Sequence, residues 1–183
     1  QMMGELGLGL CSFAVGAPPE DVARRIDIYR KAIKTCTRPM GKFINNQAAA
    51  FTMVNCAPTA AESRAIAEES FLWYVQKSVG LIGSVATWLD EMKQELGTYD
   101  YLAPIQEAVE SKALDLLDFD YLGDSKAVLW GTPDQVVETA KEYEKAGVDL
   151  LLCLINPYNV PDEKAMQTIE LMGKHVLPEF NRS

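Results

Sequence analysis

Histidine is nearly absent: His175 is the only one in 183 residues. A single imidazole excludes a histidine-based metal centre and a Ser-His-Asp triad. Its place in the last turn of the final predicted helix suits a cation at a helix C-terminus. No apolar run reaches 18 residues, so no transmembrane helix and no membrane partner are expected. The four cysteines, Cys11, Cys36, Cys56 and Cys153, have neither metal-ligand nor redox-motif spacing. They read as reduced thiols of a cytoplasmic protein, and three lie in or beside predicted strands as small apolar residues. Basic residues are outnumbered 17 to 26, for a formal charge of −9. That balance argues against nucleic acid as a partner. The acids are dispersed and read as solvated helix faces. Gly7-x-Gly9 lacks the third glycine and the immediate helix of a dinucleotide fingerprint. No phosphate loop is present, and Asp118 and Asp120 make no glycosidase pair. A hydrolase or aldolase would need a nucleophile motif or a strand lysine, and neither is found.

The clearest positive signal is Gly131-Thr132-Pro133-Asp134-Gln135-Val136, followed by Tyr143-Glu144-Lys145-Ala146-Gly147-Val148-Asp149. Thr132 suits an N-cap, Pro133 the first helical position, and Gln135 completes a capping box. Val136, Ala140 and Tyr143 form one apolar stripe, and Gly147 stops the helix. Leu150–Ile155 is apolar on both faces, as in a buried parallel sheet. Two further units precede it. Strand Leu8–Phe13 leads to a helix of about Glu20–Thr35, with the stripe Val22, Ile26, Tyr29 and Ile33. Strand Ala48–Val54 leads to a helix capped by Thr59 and Glu62 and ending near Lys77. Residues 78–130 read as a helical insertion, with helices at Ser84–Glu95 and Pro104–Leu116. Tyr99–Tyr101 and Asp118–Tyr121 read as loops. A last helix runs from Asp162 to about Val176 and stops before Pro178.

The expected fold is therefore α/β, a single domain over 1–183. Three parallel neighbouring strands, ordered as in sequence, carry helices on one side. Three such strands leave both sheet edges unpaired, and an eight-stranded barrel would need about five more units. Gln1-Met2-Met3-Gly4-Glu5 is neither a signal peptide nor an ordinary initiator sequence. The expectation is a fragment of a longer protein.

In order, these segments resemble the last three units of the luciferase-like flavin monooxygenases, a (β/α)8 barrel family. Glu5–Phe13 is similar to the sixth strand, and Tyr29-Arg30-Lys31-Ala32 to the end of its helix. Phe51-Thr52-Met53-Val54 with Thr59-x-x-Glu62-Ser63 is similar to the seventh strand and its capped helix. Gly173–Phe180 matches the terminal helix, ending Val176-Leu177-Pro178-Glu179-Phe180. The resemblance implies a partial TIM barrel with a helical insertion. It implies the C-terminal portion of an oxidoreductase that uses reduced flavin and O2 on a small organic substrate. FMN is the implied cofactor, with a deazaflavin as alternative. The first five strands have no counterpart, so the chain is expected to be inactive alone. It is expected to form a homo-oligomer or to join the missing N-terminal half. The competing reading is a non-catalytic half-barrel module that binds no cofactor.

Functional groups of parallel barrels sit at the C-terminal ends of strands. That rule selects Ser12 and Phe13, Asn55, and Asn156 with Tyr158. The resemblance implies that this rim faces the flavin ring. Phe13 would pack on the ring, and Ser12 or Asn156 would hydrogen-bond its edge. Loop-backbone satisfaction is the competing role for Ser12 and Asn55. Trp73, Trp88 and Trp130 read as core or interface residues, with a substrate channel as the alternative.

Overall fold

The computed structural model describes residues 1–91 and 118–180. Its elements run α1 (Met2–Glu5), β1 (Leu10–Phe13), α2 (Pro19–Ile33), β2 (Ala48–Cys56), α3 (Ala60–Glu91), α4 (Phe119–Asp124), β3 (Leu129–Gly131), α5 (Pro133–Lys145), β4 (Leu150–Leu154) and α6 (Asp162–Leu171). A π turn (Met172–Val176) and a 3₁₀ turn (Leu177–Glu179) close the chain's described part. Every strand pair is parallel. β2 is central: Ala49, Ala50 and Phe51 pair with both β1 and β4, which therefore flank it on opposite edges. The expected order of the three main strands is the observed one.

Several local expectations are corrected. β1 starts at Leu10 rather than Leu8, because Gly7 takes φ +70° and turns the chain out of α1. α3 runs on to Glu91, through the break expected after Lys77. Gly80 lowers helix propensity there, but no proline enforces a stop. Asp118–Tyr121 is not a loop. Asp118 caps α4 by accepting the Tyr121 N–H at 2.7 Å. The three-residue β3, pairing Val54–Cys56 with Leu129–Gly131, was not anticipated. Of the helix expected at Ser84–Glu95, residues 84–91 belong to α3. The rest of it, Tyr99–Tyr101 and the helix expected at Pro104–Leu116 lie outside the described residues.

The two faces of the sheet are differently covered. Side chains alternate along each strand. Ala48, Ala50 and Val54 of β2 face α2 and α5, in a core with Val22, Ile26, Tyr29, Val136, Ala140 and Tyr143. Thr52 shares that side, and its hydroxyl and that of Tyr143 both donate to the Ala127 carbonyl, at 2.7 and 3.0 Å. The other face carries Phe13, Phe51 and Leu152 in register, with Cys11, Ala49 and Leu150 one step earlier. It is open there: Phe13 is 47 %, Leu150 55 % and Leu152 39 % exposed. Further toward the strand C-termini the same face is covered. Met53 packs with Phe71 and Val75 of α3, Phe119 and Leu122 of α4, and Val128, and Leu154 joins them. Helices thus occupy both faces, not one.

One polar tie spans the opposite, N-terminal end of the sheet. Arg30 bonds the Asn46 carbonyl at 2.7 Å and pairs with Asp149. Asp149 in turn accepts the Ala48 N–H at 2.7 Å, and Tyr29 donates to the Asn45 carbonyl at 2.8 Å. The Tyr-Arg end of α2 and the Gly-Val-Asp before β4 are therefore the two halves of one clamp on the entry to β2.

Candidate functional site

Asn55 is the penultimate residue of β2, and alternation places its side chain on the face that holds Phe51 and Met53. Asn55 is 1 % exposed, and its Oδ1 is buried without a hydrogen-bond partner. A buried acceptor left unpaired costs about 1–3 kcal/mol, so such an atom calls for an explanation. The backbone around it is fully engaged. The Asn55 carbonyl accepts from the Ser63 hydroxyl at 2.9 Å, and that hydroxyl accepts the Gly131 N–H at 2.8 Å. Ser63 thereby locks the ends of β2 and β3 to the first turn of α3, and Asn55 is held rigidly.

The other sequence-selected residues fall into two groups. Phe13 lies on the open face and stacks on Phe51, ring centroids 5.7 Å apart and planes 21° off parallel. Tyr158 stacks on Trp73 of α3 at 4.1 Å and 9°, and its N–H donates to the Ser70 hydroxyl at 3.2 Å. Phe13 and Asn55 thus share the face opposite α2 and α5, while Tyr158 packs against α3. Ser12 does not share that face. It is buried on the helix side and takes a hydrogen bond from Arg25 at 3.2 Å, while Arg25 also holds the Phe13 carbonyl at 2.8 Å. Asn156 closes its own loop, donating to the Val160 carbonyl and accepting the Val160 N–H, at 3.2 and 3.1 Å. The structure adds Phe51, Ser63 and Trp73 to this end of the sheet. Phe51 joins Phe13 through the β1–β2 register, which no single strand discloses. Ser63 follows the Thr59–Glu62 cap, which signals a helix start and not a site.

α4 packs beside this strand end. Trp130 is the register partner of Asn55 on β3 and meets Phe119 of α4 edge-on at 5.1 Å. Gly123 sits so close to the Trp130 indole that a Cβ there would meet its Nε1 at 2.6 Å. Arg64 of α3 pairs with Asp120 at 2.6 Å and lies 5.2 Å from the centre of the Phe119 ring. Both members of that pair are exposed, so the pair contributes little to stability. α4 is held mainly by the apolar packing of Phe119 and Leu122. Among the described residues no cluster of His, Cys, Asp and Glu could hold a metal ion. No helix among them is long and apolar enough to cross a membrane.

Comparisons with known proteins place this geometry. No curated protein sequence matches the chain. Solved structures do. An FMN complex of a type II Baeyer-Villiger monooxygenase, the oxygenating constituent of 3,6-diketocamphane monooxygenase from Pseudomonas putida, superposes with a TM-score of 0.63 at 19 % identity. That match covers 97 % of this chain and 44 % of the other. The monooxygenase RslO1 from Streptomyces bottropensis gives 0.59 at 18 % identity, covering 98 % and 44 %. The coenzyme F420-dependent tetrahydromethanopterin reductase from Methanopyrus kandleri gives 0.56 at 21 %, covering 98 % and 47 %. The chain spans less than half the length of each of these proteins. At these identities the likeness is one of fold. A family model described as luciferase-like monooxygenase matches residues 1–150, most of the sequence. The chain belongs to the luciferase-like monooxygenase family.

Proposed function

We propose that this chain is the C-terminal portion of a flavin-dependent oxidoreductase, and that Asn55 holds the polar edge of the flavin ring. The unpartnered, buried Oδ1 of Asn55 carries the reading. The pyrimidine edge of an isoalloxazine offers an N–H donor between two carbonyl acceptors, and an amide side chain complements it. The Phe13–Phe51 stack supplies an apolar wall on the same face. The residues present fit the group: one fixed polar contact set among aromatic surfaces is what a cofactor pocket needs. When bound, the flavin supplies the redox chemistry, reduced cofactor and O2 together oxidising a small organic substrate. The protein's part is to orient the ring and keep water away. FMN and a deazaflavin share the same N–H edge, so Asn55 suits either, with FMN the proposed cofactor. The chain alone is proposed to be inactive, because the fold's remaining strands line the rest of such a pocket.

Titration of the purified chain with FMN, and separately with a deazaflavin, tests this through visible absorbance and fluorescence quenching. Binding of one of them is expected, with Asn55→Leu weakening it about five- to tenfold, the worth of one hydrogen bond. Binding that Asn55→Leu leaves unchanged would remove Asn55 from the site. No binding of either would favour a non-catalytic assembly module instead.

A further inference from the structure

We propose that Ser63 and Thr168 are positioning residues for the Asn55 amide: two buried hydroxyls, one at each edge of β2, that fix the strand's last two residues before a ligand arrives. Their role rests on the reading of Asn55 as the flavin contact.

Backbone groups along a strand point to alternate edges. The carbonyls of Gln47 and Phe51 accept from the N–H groups of Leu10 and Ala14, and the N–H of Ala57 donates to the Gly131 carbonyl at 3.0 Å. The odd-numbered edge of β2 therefore serves β1 first and β3 after it. The even-numbered edge belongs to β4. It runs from the Ala48 carbonyl, which accepts the Asp149 N–H, to the last register pair, Met53 with Leu154. Pairing with β4 stops there, and Cys56 points to that edge beyond it.

Thr168 of α6 takes over at that point. Its hydroxyl accepts the Cys56 N–H at 3.2 Å and donates to the Cys56 carbonyl at 3.1 Å, as a further strand residue would. On the other edge Ser63 of α3 bridges the last rung. It donates to the Asn55 carbonyl at 2.9 Å and accepts the Gly131 N–H at 2.8 Å.

Two observations assign these hydroxyls to the site as well as to the fold. Both side chains are fully buried, and Thr168 is the one buried residue of α6. An apolar side chain there would pack with no polar group to satisfy. Threonine instead turns both hydrogen-bonding roles of its hydroxyl to the end of β2. In addition, the residue held between the two clamps carries the buried acceptor left without a partner, the Oδ1 of Asn55. An unfavourable local arrangement persists only where its surroundings over-determine it. With residues 55 and 56 tied at both edges, the backbone cannot turn to give the amide a partner. A group fixed before binding loses little freedom when the ligand arrives.

A double-mutant cycle on the intact chain tests this, read through FMN titration. The Asn55 side-chain amide signals in a proton–nitrogen NMR spectrum, identified by their loss in Asn55→Leu, give a second readout. Ser63→Ala and Thr168→Val should each weaken FMN binding about threefold to fivefold, the coupling expected within one hydrogen-bonded network. Neither should weaken it further when Asn55 is already leucine. Both should broaden or double the amide signals, whereas Thr168→Ser, which keeps the hydroxyl, should retain native affinity and native signals. Losses that add to that of Asn55→Leu would overturn the proposal, since the hydroxyls would then act on the fold alone. So would amide signals that neither variant disturbs. Failure of the cofactor reading looks different: Asn55→Leu then binds FMN as the native chain does, or neither binds, and the positioning role falls with it. If Ser63→Ala does not fold, the Thr168 variants, valine against serine, decide by the same criteria.

Discussion

Burial sets the chemistry of the two thiols on the helix side of the sheet. Desolvation pushes Cys56 and Cys153 each up to about 11. In the unfolded chain a thiol ionises near about 8.5. Between those values the unfolded chain releases protons that the folded chain keeps. The stability these thiols provide is therefore complete below about pH 8.5 and is lost as pH rises toward 11. Tyr143, buried and pushed up to about 12, acts in the same direction at higher pH. Urea unfolding between pH 7 and 10 should show falling stability in the native chain. The double variant Cys56→Ala, Cys153→Ala should start lower, from lost packing, but decline less steeply. An equally steep decline in the variant would mean that other groups control the alkaline limb. The same burial makes both thiols poor nucleophiles, in keeping with an inert role read from their spacing.

At the scale of elements, two glycines with opposite surroundings test how the chain is punctuated. Gly131 ends β3 with φ +115°, and a Cβ there would meet the Gln135 Oε1 at 2.4 Å. That oxygen accepts the Thr132 N–H at 2.9 Å and completes the capping box of α5. Gly131→Ala should cost about 2 kcal/mol through backbone strain and a displaced cap. Gly80 lies inside α3 with nothing within 4 Å of its would-be Cβ. Gly80→Ala should therefore stabilise by about 0.5–1 kcal/mol. Thermal unfolding of both variants checks the two signs, and a stabilised Gly131→Ala would refute the strained-turn assignment.

These two positions also show what the sequence could and could not disclose. The capped helix α5 and the strand after it were legible because cap, stripe and stop agree locally. The end of α3 was not, since Gly80 weakens a helix without stopping it. β3 has only three residues, too few for periodicity to register. Phe13, Asn55 and Tyr158 were legible as strand-end residues. Ser12 was picked by the same rule, yet its partner Arg25 lies on α2 behind the sheet. Which face a strand-end residue takes depends on register, and register is a property of pairs of strands.

For the whole molecule, the described residues seal one face of the sheet with helices and the other only toward its C-terminal end. That asymmetry should appear in how stability responds to truncation along the second face. Phe71 is fully buried between α3 and α4. Phe71→Ala should cost about 3–5 kcal/mol, the usual penalty for emptying an aromatic site. Leu152 lies on the same face but is 39 % exposed. Leu152→Ala should therefore cost about 1 kcal/mol or less, since little of its surface is withdrawn from water. Urea unfolding of the native chain and both variants separates the two ends of the face. A loss at Leu152 as large as that at Phe71 would show that the N-terminal end of the face is covered as tightly as the C-terminal end.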